Sequence, residues 1–245
     1  MKMFTEYFNE DKSVSLTAYL HDNSPEMPNL HVRPAMLVIP GGGYGMCSDR
    51  EADPIAMLYA LEGYHTFVLR YSVGRRSEGY SFAQPLADAE RAMKYIRDNA
   101  DELGVDSERI AAIGFSAGGH LCSAIGTISE NKPNALILAY PCILSDIGDV
   151  LQCDVPSTNE YVTDKTPPTF IFAAADDGLV PVKHSLAFAS ACAANGVDFE
   201  MHLFEKGGHG FSLATPSVCM GRLDPDACKW AELSINWLRK HFTAE

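Results

Sequence analysis

Residues 110–118 read Ile-Ala-Ala-Ile-Gly-Phe-Ser-Ala-Gly, an apolar run that leads directly into a Gly-x-Ser-x-Gly pentapeptide. This order predicts a buried strand, a sharp turn at Ser116 and then a helix. At such a turn the serine hydroxyl is raised above the end of the sheet. Gly114 and Gly118 fit because a backbone this tight leaves no room for side chains at those positions. The alternative is an ordinary glycine-rich turn.

A second glycine-rich segment, called the glycine loop here, spans residues 40–45 and reads Pro-Gly-Gly-Gly-Tyr-Gly after the apolar run 35–39. Glycines after a strand allow backbone N–H groups to approach a reacting oxygen closely. A phosphate-binding loop is disfavoured because neither a Lys-Ser/Thr pair nor Gly-x-Gly-x-x-Gly spacing is present. An anion-stabilising loop and a flexible turn remain.

Two neighbouring carboxylates follow the apolar run 168–175, which reads as a buried strand. A carboxylate just beyond the end of a strand is well placed to orient a histidine. Asp176 and Asp177 therefore compete for that role, and the other one is expected to be a solvated or turn-stabilising residue.

His209 follows the predicted strand 199–204 and has glycines on both sides, which indicates a loop that brings an imidazole close to other backbone. His120 is the rival base because it lies four residues after Ser116. Because His120 lies one helical turn further along, its ring should point away from the open side of the Ser116 hydroxyl. The six other histidines are expected to be surface or packing residues.

Composition favours one globular enzyme domain over residues 1–245. The chain is 47% hydrophobic and 21% charged, and its length can bury a substantial core. A net charge of −13 repels phosphate backbones and anionic lipids, so nucleic acids and membrane surfaces are not expected partners. No apolar stretch approaches the length of about 18 residues that a transmembrane helix needs.

Residues 1–6 lack the apolar core of a signal peptide, so we expect a cytoplasmic protein. The seven cysteines have no Cys-x-x-Cys spacing, which favours free and mostly buried thiols over a metal or redox centre. Cys47 is the one candidate for a functional thiol, because it lies just past the glycine loop. No cofactor or metal is expected.

Predicted strands alternate with predicted helices along the chain, which indicates an α/β fold with a mostly parallel sheet and helices on both faces. The predicted strands are 13–20, 35–39, 66–71, 110–115, 134–139, 169–175 and 199–204. The predicted helices are 51–62, one from Pro85, one from Ser116, 183–195, and 224–241. Residues 141–167 interrupt the alternation, and we expect them to form either a short cap or a surface loop.

The chain resembles the bacterial α/β-hydrolases grouped as acetylxylan esterases and related carbohydrate esterases, which include xylanase-like and feruloyl-esterase-like members. The similarity extends over nearly the whole chain. It is carried by residues 40–44, Arg50-Glu51, 69–73, 85–89, 105–106, 114–121, 166–170, 176–181 and 207–211.

The resemblance implies a catalytic triad in the chain order Ser116, Asp177, His209. Asp177 is preferred over Asp176 because hydrolases of this type commonly place the acid four residues before the proline of a Val-Pro pair, here Pro181. The implied oxyanion hole uses the backbone N–H of Ala117 together with that of Gly43 or its neighbours. Those neighbours are Gly42 and Tyr44.

The resulting hypothesis is a serine carboxylic-ester hydrolase that removes short acyl groups, with acetyl esters of sugars or xylo-oligosaccharides as the leading substrates. We expect a small acyl pocket beside Tyr44. A small amidase or formamidase and an aminopeptidase-like hydrolase are the alternatives, followed by a non-catalytic binding protein. The sequence leaves open whether the chain forms a homo-oligomer.

Overall fold

The computed structural model describes residues 1–219 and 224–242, and its central feature is an eight-stranded sheet. The strands are β1 (Lys2–Tyr7), β2 (Ser15–Leu20), β3 (Arg33–Ile39), β4 (His65–Arg70), β5 (Val105–Phe115), β6 (Ala135–Ala139), β7 (Thr169–Ala174) and β8 (Phe199–Phe204). They lie in the order β1-β2-β4-β3-β5-β6-β7-β8. Strand β2 is antiparallel to both of its neighbours, whereas the pairs from β4 to β8 are parallel.

Helices cover both faces of the sheet. They are α1 (Asp53–Leu61), α2 (Ala83–Asp98), α3 (Ala100–Leu103), α4 (Ala117–Thr127), α5 (Lys183–Ala194) and α6 (Trp230–Phe242). Buried residues of α2, α4 and α5 share one core with one face of the sheet, and those of α1 and α6 share a second core with the other face. No helix within the described residues is long and apolar enough to cross a membrane.

The central strands are buried on both faces. Leu37 packs into one core and its neighbour Val38 into the other, because successive side chains of a strand point to opposite faces. Strands β6 and β7 are buried along their whole length, which explains their continuous apolar sequence. The predicted α/β class with a mostly parallel sheet and helices on both faces is confirmed.

Two predicted helices begin later than expected. The helix predicted from Glu51 begins at Asp53, because Ala52 has a non-helical backbone (φ −108°, ψ −105°) and residues 49–51 form a separate 3-10 turn. The helix predicted from residue 224 begins at Trp230, after a 3-10 turn at Ala227–Lys229.

Strand β1, an antiparallel edge strand, was not predicted, since its residues are at best half-buried and follow no clear alternation.

Residues 141–167 pack beside the carboxyl ends of β3 and β5. The segment contains 3-10 turns at Ser145–Val150 and Thr158–Tyr161. Its Gln152 N–H donates to the carbonyl of Gly43 at 2.9 Å. A second attachment joins the hydroxyls of Thr158 and Ser123, a residue of α4, at 2.7 Å. The segment is therefore fastened to both the glycine loop and the helix that follows Ser116.

The seven cysteines are all free thiols, and four of them are buried. Cys47 is half-buried, and its Sγ lies 3.9 Å from the carbonyl of Tyr71. Burial raises the pKa of the Cys47 thiol to about 11. Cys47 therefore stays protonated near neutral pH and lacks the thiolate that a reactive cysteine needs.

Candidate active site

Ser116 occupies a strained turn between β5 and α4. Its backbone has φ 53° and ψ −116°, outside the regions that L-residues ordinarily occupy. The flanking glycines are required by space, because a Cβ at Gly114 would lie 2.2 Å from the carbonyl oxygen of Gly118. A Cβ at Gly118 would lie 2.2 Å from the carbonyl oxygen of Ile39. The turn thus presses the serine backbone against β3 and holds its hydroxyl in one place.

Three predicted residues meet in one hydrogen-bonded chain. The Oγ of Ser116 and Nε2 of His209 lie 2.9 Å apart, although 93 positions separate the two residues. The Nδ1 of His209 lies 2.7 Å from Oδ2 of Asp177. The imidazole can accept the serine proton at Nε2 while the carboxylate holds the proton on Nδ1. This arrangement is chemically suited to activating the hydroxyl as a nucleophile.

The carboxylate of Asp177 is fixed by its own loop. Its Oδ1 accepts the N–H groups of Leu179 and Val180, both at 2.9 Å, and this leaves Oδ2 for the imidazole. Asp176 has a different place: its Oδ1 accepts the N–H of Gly208 at 2.9 Å. Asp176 therefore shapes the histidine loop, defined here as residues 207–212, and does not contact the imidazole itself.

The glycine loop supplies backbone N–H groups at the same cleft. Gly42, Gly43 and Tyr44 have positive φ angles of 130°, 63° and 64°. The N–H groups of Gly42 and Gly43 have no acceptor within residues 1–219 and 224–242. Ala117 is the first residue of α4, where a helical N–H has no partner inside its own helix. Free donors thus lie on two segments that flank Ser116.

The side chain of Tyr44 does not line the cleft, although the neighbouring Gly42 and Gly43 do. The Tyr44 side chain is fully buried in the core, edge-on to the rings of Tyr71 and Phe82. It enters the core because its hydroxyl finds a buried partner, Nδ1 of His120, at 2.9 Å. Tyr44 can therefore contribute only its backbone to the cleft, and the expected acyl pocket beside it stays a prediction.

His120 is committed to structure at both ring nitrogens. Its Nε2 lies 2.9 Å from the carbonyl oxygen of Pro156, so Nε2 carries the proton and Nδ1 accepts from Tyr44. Burial lowers the pKa of His120 to about 4, which keeps the ring neutral near pH 7. His120 therefore joins residues 141–167 to α4, and its ring has no free nitrogen for Ser116.

Glu51 is a site residue to which sequence reasoning gave no role. Its side chain lines the cleft beside Ser116 and His209, yet Glu51 is only 3% exposed. Burial raises the pKa of its carboxyl group, opposed by the hydrogen bonds that Glu51 accepts. The only signal in the sequence was the Arg50-Glu51 pair among the stretches that carry the family resemblance.

The cleft around Ser116 has a volume of about 390 Å³, which suits a small ligand. Its floor and walls are partly polar, with Ser48, Arg50 and Glu51, and its rim carries the exposed apolar side chains of Met46 and Leu179. Across the described ranges, no group of three or more His, Cys, Asp or Glu side chains is placed to hold a metal ion.

Two family models match separate parts of the chain. One is described as BD-FAE and matches residues 23–144, which include the glycine loop and Ser116. The other is described as the prolyl oligopeptidase family and matches residues 153–243, which include Asp177 and His209.

Curated relatives are longer than this chain. An endo-1,4-beta-xylanase B of Butyrivibrio fibrisolvens is 32% identical over 234 residues, which are 84% of this chain and 36% of the relative. An acetylxylan esterase of Xylanibacter ruminicola is 30% identical over 251 residues, covering 94% of this chain and 50% of the relative. The chain therefore spans between about a third and a half of the length of these two proteins.

Solved structures match over almost their full length. MGS-M1, an alpha/beta hydrolase enzyme from a Medee basin deep-sea metagenome library, has a TM-score of 0.91 and 41% identity, with 98% of each chain covered. An acetyl ester-xyloside bifunctional hydrolase from Caldicellulosiruptor lactoaceticus has a TM-score of 0.82 and 30% identity, with 98% of this chain and 96% of that chain covered. The carboxylesterase Cest-2923 from Lactobacillus plantarum WCFS1 has a TM-score of 0.87 and 26% identity, with both chains fully covered.

Proposed function

Because the chain belongs to the α/β-hydrolase family of enzymes, we propose that it is a serine carboxylic-ester hydrolase with Ser116, His209 and Asp177 as its catalytic triad. The observation that carries the proposal is the hydrogen-bonded chain from Asp177 through His209 to Ser116, with distances of 2.7 Å and 2.9 Å. Its open end lies in a cleft between backbone donors, where a reacting carbonyl has access to the serine hydroxyl.

In the proposed reaction, His209 takes the Ser116 proton at Nε2 as Oγ attacks the ester carbonyl. Asp177 holds the imidazole in the required tautomer and stabilises the cation that forms. The oxyanion accepts hydrogen bonds from the N–H of Ala117 and from Gly43, with Gly42 and Tyr44 as neighbouring donors. The alcohol then leaves with the proton from His209, and water attacks the acyl-serine by the reverse sequence of proton transfers.

The proposed substrates are short acyl esters, with acetyl groups on sugars or xylo-oligosaccharides first. The names of two similar proteins, an acetylxylan esterase and an acetyl ester-xyloside bifunctional hydrolase, support this choice. We further propose that residues 1–245 act as a single hydrolase domain in which residues 141–167 form a short cap. The bond between Gln152 and the glycine loop supports that position for the cap.

A peptide or amide hydrolase is the second candidate. The prolyl oligopeptidase family model favours it, because the matched residues 153–243 contain both Asp177 and His209. The same triad can attack an amide carbonyl, since the acid His209 would then protonate a leaving amine. Ester and amide substrates must therefore be compared directly.

A panel of four substrates tests the proposal: an aryl acetate, acetylated xylo-oligosaccharides, N-formylkynurenine and an amino-acid arylamide. The expected result is turnover of both acetate esters at rates well above those of the two amides. Ser116→Ala serves as the matched control, and loss of the nucleophile of such a triad costs on the order of 10⁶ in rate. Turnover of the arylamide alone would replace the ester hydrolase with the second candidate.

A further inference from the structure

A buried carboxylate outside the hydrogen-bonded chain of Ser116 lies in the wall of the same cleft. Glu51 is 3% exposed and is set in the 3-10 turn that precedes α1. An ionised group in such a place is strongly destabilising unless its oxygens are hydrogen-bonded. The partners of Glu51 therefore indicate what the residue does.

One oxygen of Glu51 holds the glycine loop. Its Oε2 accepts the N–H of Gly41 at 2.9 Å. Gly41 in turn packs against the turn at Ser116, since a Cβ at Gly41 would lie 2.7 Å from the carbonyl oxygen of Phe115 and 3.0 Å from Cβ of Ser116. Glu51 thus fixes the start of the loop that presents the free N–H groups of Gly42 and Gly43.

The other oxygen of Glu51 reaches the histidine loop through Tyr140. The Tyr140 hydroxyl donates to Oε1 of Glu51 at 2.6 Å and accepts the N–H of Ser212 at 3.1 Å. The Tyr140 ring also packs edge-on against the His209 imidazole, with the ring centroids 5.2 Å apart. Arg50 adds a parallel link, because its Nη1 donates to the carbonyl of Gly210 at 3.1 Å.

We propose that Glu51 is a positioning residue that joins the glycine loop to the histidine loop through Tyr140 and thereby sets the distance between the oxyanion donors and His209. The inference rests on the proposed function. A displacement of about 1 Å in a reacting group can cost on the order of 10² in rate, so a link of this kind affects turnover through the positions of the reacting groups.

The charge of Glu51 has a second consequence. Both oxygens accept hydrogen bonds, which suits the carboxylate form. The titratable and charged groups that face it are Tyr140, Tyr71, Arg50 and His209. His209 is faced in turn by Asp177, Glu51 and Tyr140. The Glu51 carboxylate therefore favours the imidazolium that forms when His209 takes the serine proton.

Glu51→Gln is the decisive variant because it retains size and removes charge. The amide can accept from Gly41, but its NH₂ group must then meet the Tyr140 hydroxyl, which already accepts from Ser212. We expect kcat for an aryl acetate to fall by about 10- to 100-fold while KM changes by less than about threefold. Asp49→Asn is the matched control, since Asp49 lies in the same turn but is exposed and pairs with Arg70. Its kinetics should equal those of the wild type.

The rate at which a fluorophosphonate probe labels Ser116 is measured from pH 5 to pH 9. Its dependence on pH would not change in the variants if Glu51 had only a structural role. The pH profile of the labelling rate should differ between Glu51→Gln and the wild type, because the variant removes a negative charge that faces His209. Tyr140→Phe keeps the carboxylate and breaks only the hydrogen bond from Tyr140 to Glu51, so it should slow labelling while leaving the pH profile closer to that of the wild type. The double variant should be much less impaired than the product of the two single effects.

The outcomes separate this inference from the proposed function. Wild-type kinetics and an unmoved pH profile in Glu51→Gln, with esters still hydrolysed, would overturn the role of Glu51 alone. If the wild type labels at Ser116 but cleaves no ester, the proposed function fails, and the labelling rates still decide the role of Glu51. If Glu51→Gln does not fold, a wild-type labelling rate in Tyr140→Phe overturns the link and a slowed rate supports it.

Discussion

Oδ2 of Asp177 lies 2.7 Å from Nδ1 of His209, across 32 positions of sequence. The contact follows from the sheet, because β7 and β8 are parallel neighbours with Ala174 paired to Phe204 at their carboxyl ends. Asp177 comes three residues after the end of β7 and His209 five residues after the end of β8. Loops that leave adjacent parallel strands at one edge of a sheet meet there, which brings an acid and an imidazole together.

Asp177→Asn should lower kcat/KM far more than Asp176→Asn does, by a factor of roughly 10² to 10⁴. The asparagine introduced by Asp177→Asn can still accept from Leu179 and Val180, but its NH₂ group faces Nδ1 of His209 and selects the wrong tautomer. Asp176→Asn is the matched control, because its amide oxygen would still accept from Gly208. Steady-state kinetics with an aryl acetate decide the matter, and equal losses in both variants would contradict the assignment of Asp177.

His209→Ala should nearly abolish activity because Ser116 then keeps its proton. A fluorophosphonate probe should label the wild type at Ser116 and this variant very slowly. The control is His202→Ala, whose ring pairs with Glu200 on β8 and should label at the wild-type rate. Rapid labelling of His209→Ala would mean that another group acts as the base.

Acetate esters should be cleaved with much higher kcat/KM than octanoate esters of the same alcohol. Each buried methylene contributes only about 0.8 kcal/mol, so a long chain needs an extended apolar trough. The cleft has a volume of about 390 Å³, its wall includes the polar residues Ser48, Arg50 and Glu51, and Val150 lines it from residues 141–167. The measurement is kcat/KM for acetate, butyrate and octanoate, and a profile that rises towards octanoate would refute the short-acyl proposal.

His120 should make the protein less stable as the pH falls. Burial lowers its pKa from 6.5 to about 4, so the folded state binds this proton more weakly than the unfolded chain does. The stabilisation is therefore complete above pH 6.5 and is lost as the pH falls towards 4, in total about 3 kcal/mol of unfolding free energy. Urea unfolding at pH 7 and pH 4.5 measures the loss.

His120→Gln is the comparison for that measurement, since glutamine offers a donor NH₂ group and an acceptor oxygen but does not titrate in this range. Its unfolding free energy should depend less on pH than that of the wild type, by about 2–3 kcal/mol between pH 7 and 4.5. Comparing the two proteins cancels the contribution of His65, whose pKa burial also lowers to about 4. Equal pH dependence in the two proteins would show that His120 titrates normally.

The local geometry of the turn at Ser116 could be predicted because it depends on a few consecutive residues. Gly114 and Gly118 are needed wherever such a turn occurs, and the predicted β5, turn and α4 appear in that order. Alternation of apolar strands with helices was likewise sufficient for the α/β class, since each element shows its own periodicity. Strand β1 escaped prediction because a half-exposed edge strand has little apolar pattern to detect.

The sequence by itself determined the order of the elements, the turn at Ser116 and the segments that carry Asp177 and His209, since these depend on neighbouring residues and on strand order. Only the tertiary structure decided where Tyr44 and Glu51 point. The Tyr44 hydroxyl is hydrogen-bonded in the core to His120, 76 positions away, and Glu51 is linked to the histidine loop through Tyr140, 89 positions away. Buried polar groups must find hydrogen bonds wherever the fold offers them, and no local pattern records which distant partner that will be.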